Sequence, residues 1–352
     1  MKQLITVLSF AALANIAMMP VVTAEENAEV LNVNVPAYEA PEVIDNIFSS
    51  SEFERKISKE FSVSSTPTLT ISNKFGKINI VEGAGDKIIF NITITGKGKN
   101  DSEAKKYAET VDVDFTHSGS SVNAKTSLRS INCNNCGRTT DYEITVPKNT
   151  KFIVENKFGD VSINNTTAPA EIKVEFGKFY ANELADADVN IKHGGSTINK
   201  CDNLKLNSGF SKHKFGIIGS IKGKVKHGGF DAKEVGSADV DAEFSNVNIE
   251  HLKKSFVSDN FKHGSLEIKK VDNDFSNIVI DANFTKVQVA LNKNHNFKAA
   301  LYTNFGSINT GKLTFLEKSL DKKDAVVGVF GNVKDPSATV NITNKHGNIA
   351  LD

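Results

Sequence analysis

The sequence NKFG occurs at residues 73–76 and again at residues 156–159, and NKHG occurs at residues 344–347. We call the Phe or His of this motif the ring residue. Between Phe158 and Phe305, a ring residue or its substitute precedes Gly, Ser or Thr every 15–21 residues, about 18 on average. A period near 20 residues is typical of solenoids. The predicted ring positions are Phe158, Phe176, His193, Ser208, His227, Phe244, His263, Phe284, Phe305, Phe330 and His346.

Apolar residues alternate on both sides of the ring residue. Val154 and Ile172 each stand four residues before one, and Val161 and Ile163 stand three and five residues after Phe158. Alternation indicates β-strands, and the change of phase means that the chain bends or bulges just after the ring residue. Gly supplies the backbone freedom that such a bend requires, and Ser or Thr is expected where the bend is gentler.

The positions that precede the ring residues carry charges in an order that favours stacking. No two like charges are adjacent, so opposite charges would meet on neighbouring strands and contribute roughly 0.2–1 kcal/mol per pair. We therefore predict an all-β fold, a single-chain parallel β-helix or β-solenoid with coils of about 18 residues and its rings in one column. The positions are Lys157, Glu175, Lys192, Asn207, Lys226, Glu243, Lys262, Asn283 and Asn304.

The chain has four predicted parts. Lys2, a long apolar stretch and small residues before Glu25 indicate a cleaved signal peptide rather than an uncleaved membrane anchor, and no later segment is apolar enough to span a membrane. The parts are a signal peptide over residues 1–24, an acidic linker and short helix over residues 25–60, a small β-rich capping region with one short helix over residues 61–150, and the β-solenoid over residues 151–352.

Local patterns refine the parts around the β-solenoid. Phe53, Ile57 and Phe61 would share one side of a short helix over residues 51–61. A second helix is predicted to begin at the cap Asp101-Ser102, and strands are predicted over residues 111–115, 122–126 and 142–146. No cap sequence follows residues 342–351, so we expect the final strand to offer an open edge.

Cys133 and Cys136 form a CxxC motif in a loop rich in Asn. In an exported protein we expect a structural disulfide between them. A zinc site would need a second pair of ligands, of which only Cys201 is a candidate, and a redox motif would need a helix start within a βαβ unit, so both alternatives are weaker. We expect Cys201 to be a free thiol.

The sequence contains no recognisable catalytic, cofactor-binding or metal-binding group of residues. Ring histidines two strands apart are separated by roughly 9.6 Å, whereas ligands of one metal lie within about 4 Å of each other. His213 and His251 lie off the predicted column with no visible partner, and Asp239 and Asp241 do not converge with other carboxylates for acid–base chemistry. The equal totals of 42 basic and 42 acidic residues argue against nucleic acid as a partner.

Three segments precede the series of FG and HG motifs: KEFSVSSTPTLTISNKFGKINI, DSEAKKYAETVDVDF and DYEITVPKNTKFIVENKFGDVSI. With that series they resemble the bacterial putative-adhesin family of β-strand-repeat domains of unknown function, in particular its exported Bacteroidetes members. The resemblance covers residues 55–352. It implies a parallel β-helix and a location in the cell envelope or at the cell surface.

These observations predict a non-enzymatic exported protein of the periplasm or cell surface that acts as an adhesin-like or scaffold interaction module without a cofactor. Its expected partner is a protein or glycan of the cell envelope, with self-association through the edge of the final strand. Two alternatives remain open. One is a carbohydrate-active β-helix that acts on envelope or extracellular polysaccharide, and the other is a periplasmic sensor subunit of envelope signalling.

Overall fold

The computed structural model describes residues 50–131 and 136–352. These residues form an almost all-β fold with one helix, and their strands join in one long sheet. No helix in these two ranges has the length and apolarity that crossing a membrane requires. The elements are β1 (Ser51–Ser62), β2 (Thr68–Phe75), β3 (Ile78–Glu82), β4 (Lys87–Gly98), α1 (Asp101–Ala108), β5 (Val111–Ser118), β6 (Ser121–Leu128), β7 (Gly137–Val146), β8 (Lys151–Phe158), β9 (Val161–Thr166), β10 (Ala170–Glu175), β11 (Lys178–Lys192), β12 (Gly195–Gly209), β13 (Lys212–Ile268), β14 (Asn277–Val289), β15 (Phe297–Asn304), β16 (Ile308–Asn309), β17 (Phe315–Asp321), β18 (Ala325–Phe330), β19 (Thr339–Lys345) and β20 (Ile349–Ala350).

Three sequence predictions fall on residues outside the described ranges. The signal peptide over residues 1–24 and most of the acidic linker lie there. Cys133 also lies there, so its disulfide with Cys136 stays a prediction.

The short helix predicted over residues 51–61 is wrong, because these residues form strand β1. β1 is antiparallel to β4, and Ile57 lies opposite Ile92. Phe53, Ile57 and Phe61 are four residues apart, a spacing that places side chains on one face of either a helix or a strand. The structure settles the choice as a strand, because β1 pairs with the apolar strand β4 and its three side chains pack, partly buried, against the core.

Parallel strands form the centre of the sheet, from β8 through β10, β11 and β12 to β13. Lys178 of β11 lies opposite Gly195 of β12, an offset of 17 residues that continues into β13. The offset places the same position of each repeat side by side. Ile172, Val189 and Leu206 form one such row, and each is at most 1% exposed. Full burial of such a side chain stabilises the fold by about 1.5–3 kcal/mol, so these rows hold the repeats together.

At its N-terminal end, the sheet continues from β8 and β9 into strands β1 to β7. β2 and β3 pair in parallel with β8 and β9, while β6 and β7 pair with their opposite sides. β7 continues through antiparallel β4 to β1. Helix α1 packs against β4, and its N-cap is Asn100, whose side chain accepts a 2.9 Å hydrogen bond from the Glu103 backbone N–H. The cap therefore lies one residue before the predicted Asp101.

The C-terminal strands join the stack out of chain order. After β14 the chain forms β15 and β16, then the antiparallel pair β17 and β18, and only then β19 and β20. β19 lies between β14 and β15, so that Ile342 has Ile280 on one side and Leu301 on the other. The prediction that residues 342–351 form an open edge is therefore wrong, because β19 already pairs along both sides.

In most repeats the backbone turns at the ring residue itself, whereas in the two NKFG motifs the following residues Gly76 and Gly159 have the positive φ, 114° and 138°. Nine ring residues have φ between 49° and 60°, in the left-handed region. The following Gly serves close packing instead, because a Cβ on Gly194 would lie 1.8 Å from the carbonyl oxygen of Gly177 in the neighbouring repeat. The nine residues are Phe176, His193, Phe210, His227, Phe244, His263, Phe284, Phe305 and His346.

After Phe210, the residue that follows the ring is Ser211 instead of Gly, and the turn is no gentler there, contrary to the prediction from sequence. Phe210 has a φ of 54° before Ser211, within the range of the ring residues that precede Gly. The Ser211 hydroxyl donates to the Gly209 carbonyl at 2.9 Å and accepts from the Gly194 backbone N–H at 3.1 Å. Ser therefore links the turns of two repeats through its hydroxyl group.

Replacing Gly194 by Ala is expected to lower the free energy of unfolding by about 1–3 kcal/mol, because the new methyl group would meet the Gly177 carbonyl. Gly209→Ala is the matched control, since a Cβ there meets no atom within 4 Å. We expect the control to change stability by less than about 0.5 kcal/mol. Urea unfolding followed by circular dichroism measures both values, and equal losses would contradict the close-packing role.

Candidate functional site: an exposed column of stacked rings

Eleven aromatic side chains stack face to face along one side of the repeats. Successive ring centroids lie 4.5–5.1 Å apart, and successive ring planes differ by 3–13°. We call this set the ring column. In spatial order it contains Phe75, Phe158, Phe176, His193, Phe210, His227, Phe244, His263, Phe284, His346 and Phe305.

The sequence predicted most members of the ring column and misplaced two. Ser208 is not a member, since its place is taken by Phe210, which stacks on His193 and His227. Phe330 is buried and stacks on Phe297 instead. Phe75, from the first NKFG motif, is a member that the periodic spacing did not include.

Phe and His alternate along the ring column from Phe176 to Phe305. His193, for example, lies between Phe176 at 4.8 Å and Phe210 at 5.1 Å. A Phe ring therefore separates each ring histidine from the next one. Among the described residues, no group of three or more His, Cys, Asp or Glu side chains is placed to hold a metal ion.

Backbone hydrogen bonds hold the ring residues over one another. The N–H of Phe176 donates to the Lys192 carbonyl at 2.9 Å, and the N–H of His193 donates to the Gly209 carbonyl at 3.0 Å. Each bond joins a ring residue to the position just before the next ring. The ring faces are covered by their neighbours, and the edges remain in solvent, with Phe210 58% exposed. The ring column is thus a rigid, half-exposed aromatic surface.

Charged side chains flank the ring column as the sequence predicted, with one exception. Lys226 and Glu243 form an ion pair at 3.0 Å, and Lys157 and Glu175 lie 3.7 Å apart. The hydrogen bond and charge of Lys226 lower the pKa of Glu243. The exception is Asn207, because the residue beside the ring in that repeat is Gly209.

Asn in the NKFG and NKHG motifs has a buried structural role. The Asn156 side-chain amide donates to the Gly76 carbonyl at 2.8 Å, and that of Asn344 donates to the Thr285 carbonyl at 2.7 Å. Both side chains are fully buried. Each amide thus satisfies a carbonyl that the turn removes from the regular strand pairing.

His213 has buried partners that the sequence did not reveal. Its Nδ1 lies 2.8 Å from the Ser196 hydroxyl, and its Nε2 lies 2.7 Å from the Ser208 hydroxyl. The side chain is 1% exposed, and burial lowers its pKa from 6.5 to about 4. The arrangement stabilises a neutral imidazole inside the core.

His251 lies in a partly exposed group of charges. Its Nε2 is 2.6 Å from Asp272 and its Nδ1 is 3.3 Å from Glu234, while Lys253 lies 3.0 Å from Asp272. Hydrogen bonds from His251 and then from Lys253 lower the pKa of Asp272. Asp272 follows β13 in an irregular segment outside the regular spacing, so the motif spacing does not predict this group.

Two further sequence predictions concern Cys201 and Asp239. Cys201 is a buried free thiol, as predicted, and burial raises its pKa to about 12, which leaves it protonated at neutral pH. Asp239 accepts a 2.6 Å hydrogen bond from Lys222 in the neighbouring repeat. Its carboxylate is thus part of an ion pair between strands.

Replacing Phe210 by Leu is expected to lower the free energy of unfolding by about 1–3 kcal/mol through loss of two stacked pairs. Phe305→Leu is the matched control, because Phe305 stacks on one ring only and is 85% exposed. The free energy of unfolding should fall about half as much in Phe305→Leu as in Phe210→Leu. Chemical denaturation checks both, and a larger loss at Phe305 would contradict a stabilising role for stacking.

Protonation of His213 is expected to destabilise the protein in acid. Its folded-state pKa of about 4 lies below the ordinary 6.5, so the unfolded chain binds more protons between these values. Stability is therefore fully present above pH 6.5 and is lost as the pH falls towards 4, by roughly 3 kcal/mol.

Urea unfolding from pH 7 to pH 4 tests this expectation, with His213→Gln as the comparison. The variant should lose less stability over that range than the wild-type protein. An NMR titration of the His213 ring gives the folded-state pKa independently, and a value near 6.5 would contradict the proposed effect of burial.

No protein-family model matches the chain, and no curated protein matches it. Similar crystal structures include a putative cell adhesion protein from Clostridium sporogenes, at 12% identity over 85% of this chain and 99% of that chain, with a TM-score of 0.20. A putative adhesin from Bacteroides fragilis is 11% identical over 85% of this chain and 97% of its own, with a TM-score of 0.34. One from Parabacteroides distasonis has the same identity and coverages, with a TM-score of 0.27. The Bacteroides and Parabacteroides structures are named putative adhesins, as is the family that the sequence resembles.

Proposed function

We propose that this protein is a non-enzymatic, exported β-solenoid that acts as an adhesin-like or scaffold interaction module of the cell envelope. The parallel offset of 17 residues between β11, β12 and β13 supports the solenoid. The basic start, apolar stretch and small residues before Glu25 support export to the periplasm or cell surface.

The ring column is the single observation that carries the interaction role. Its ten stacking steps at the strand spacing give a surface roughly 48 Å long. Phe176, Phe210, Phe244 and Phe284 along it are 49–58% exposed. Contiguous exposed apolar surface of this kind marks interaction sites in soluble proteins. The turn fixes each ring in place, so a partner would bind a surface with little side-chain freedom to lose.

The charges around the ring column favour a static recognition surface over a reactive one. Carboxylates such as Glu175, Asp188 and Asp239 pair with lysines of neighbouring repeats. Such pairs hold the side chains in fixed positions. The partner that we propose is a protein or glycan of the cell envelope.

Binding of the full-length chain to native envelope fractions tests this role. A variant with Ser at Phe176, Phe210 and Phe244 is expected to lose at least tenfold in affinity, because it removes three exposed rings. The matched control has Ser at Ile217, Leu316 and Val333, which are 43–51% exposed and lie outside the ring column.

The control variant should bind as the wild-type protein does. Thermal unfolding checks that both variants are folded, and Phe305→Ser supplies a milder change at the exposed end of the ring column. If the ring and control variants bind equally well, the ring column is not the interaction surface.

A further inference from the structure

Two outward-facing rows change character along the stack, and a row that includes Lys77, Asp160 and Lys178 separates them from the ring column. They stand four and six residues after each ring residue, and in the first repeats they carry no charge. From Phe210 onward the same rows include Lys214, Asp231 and Lys233. We call the uncharged part the uncharged patch, and its central members are Ser162, Asn164, Tyr180, Asn182, Thr197 and Asn199.

The uncharged patch is a shallow depression on β3, β9, β11 and β12. Its volume is about 410 Å³, and none of the ten described residues that line it is charged. Four neighbouring strands span roughly 14 Å between the outer two. This length suits several linked small rings rather than one small ligand.

The amides of the uncharged patch are already aligned. The Asn182 amide donates to Asn165 at 2.9 Å, and the Asn199 amide donates to Asn182 at 3.1 Å. Each amide has two N–H donors and a carbonyl that accepts two bonds, so groups remain for a ligand. Because these hydrogen bonds between neighbouring amides hold the side chains in place, a ligand would bind them at a small cost in conformational entropy.

Tyr180 provides an aromatic ring among these polar groups. Its side chain is 39% exposed, and no described residue hydrogen-bonds its hydroxyl. It lies opposite Ser162 on one side and Thr197 on the other. An exposed Tyr ring offers an apolar face together with a polar tip.

We propose that the uncharged patch binds a neutral oligosaccharide, with one sugar ring against Tyr180 and sugar hydroxyls bonded to Asn164, Asn182 and Asn199. Sugars combine apolar C–H faces with many hydroxyl groups, which matches this set of side chains. The proposal rests on the proposed interaction role and adds a site separate from the ring column.

Other occupants match the uncharged patch less well. Nucleic acids and acidic polysaccharides need cationic partners, and the lining offers none. An added peptide strand needs a free sheet edge, whereas β11 is paired with β9 and β12 along both sides here.

Isothermal titration of the full-length protein with cellohexaose, maltohexaose and chitohexaose tests the proposal, with hexagalacturonate as an acidic sugar of equal length. We expect at least one neutral hexasaccharide to bind and hexagalacturonate to bind at least tenfold more weakly. Tyr180→Ala should lower the affinity at least tenfold. Tyr302→Ala is the matched control, because Tyr302 is 45% exposed and lies on β15, and it should leave the affinity unchanged.

Asn182→Asp provides a second variant that adds a charge with little change of shape. Its hexasaccharide affinity tests the proposal if Tyr180→Ala does not fold. Absence of binding by all three neutral hexasaccharides at millimolar concentration would overturn the proposal, as would equal losses in the Tyr180 and Tyr302 variants. If envelope binding through the ring column persists without hexasaccharide binding, only the uncharged patch proposal fails. If hexasaccharides bind but envelope fractions do not, the proposed interaction role of the ring column fails.

Discussion

The hydrogen bond from the N–H of a ring residue to the carbonyl before the next ring fixes the register of this protein. Phe210 donates in this way to Lys226 at 2.9 Å. At the nine left-handed ring residues the ring points outward at the turn, while apolar residues such as Ile191, two residues before His193, and Ile198, five residues after it, point into the core. One backbone conformation thus sets both the buried rows and the ring column. A shift of one residue at any turn would disturb both at once.

The alternation of Phe and His gives the ring column a mixed surface. The stacked faces are hidden, and the exposed edges alternate between hydrocarbon and imidazole nitrogen, with roughly 9.6 Å between successive histidines. Farther from the turn, the first repeats expose amides and hydroxyls, whereas later repeats expose Lys214 and Asp231. The protein therefore presents chemically different surfaces on one repeated backbone.

Much of the architecture could be predicted from the motif spacing, because alternation and stacked charges are local patterns repeated many times. The sequence spacing places Ser208 at a ring position, whereas the pairing of Ser208 with Val225 leaves that place in the ring column to Phe210. The pattern of residues 51–61 does not distinguish a helix from a strand, because a four-residue spacing suits both. The partners of His251 and the assembly of the uncharged patch depend on contacts between repeats, for which a single sequence gives no direct signal.

Strand β19 pairs with β14, which lies far before it in the chain, so the last part of the sheet forms through a contact between distant residues. Ile342 must reach the slot beside Ile280 after more than sixty intervening residues have been placed elsewhere. Strands β8 to β14 pair at offsets close to one repeat and can assemble by short-range steps, whereas β19 requires closure of a large loop, which is entropically costly and slow. A chain interrupted before β19 would leave β14 and β15 with unpaired sides, open to strands of other molecules. Loss of residues 339–352 would therefore expose strand edges and make the protein prone to aggregation.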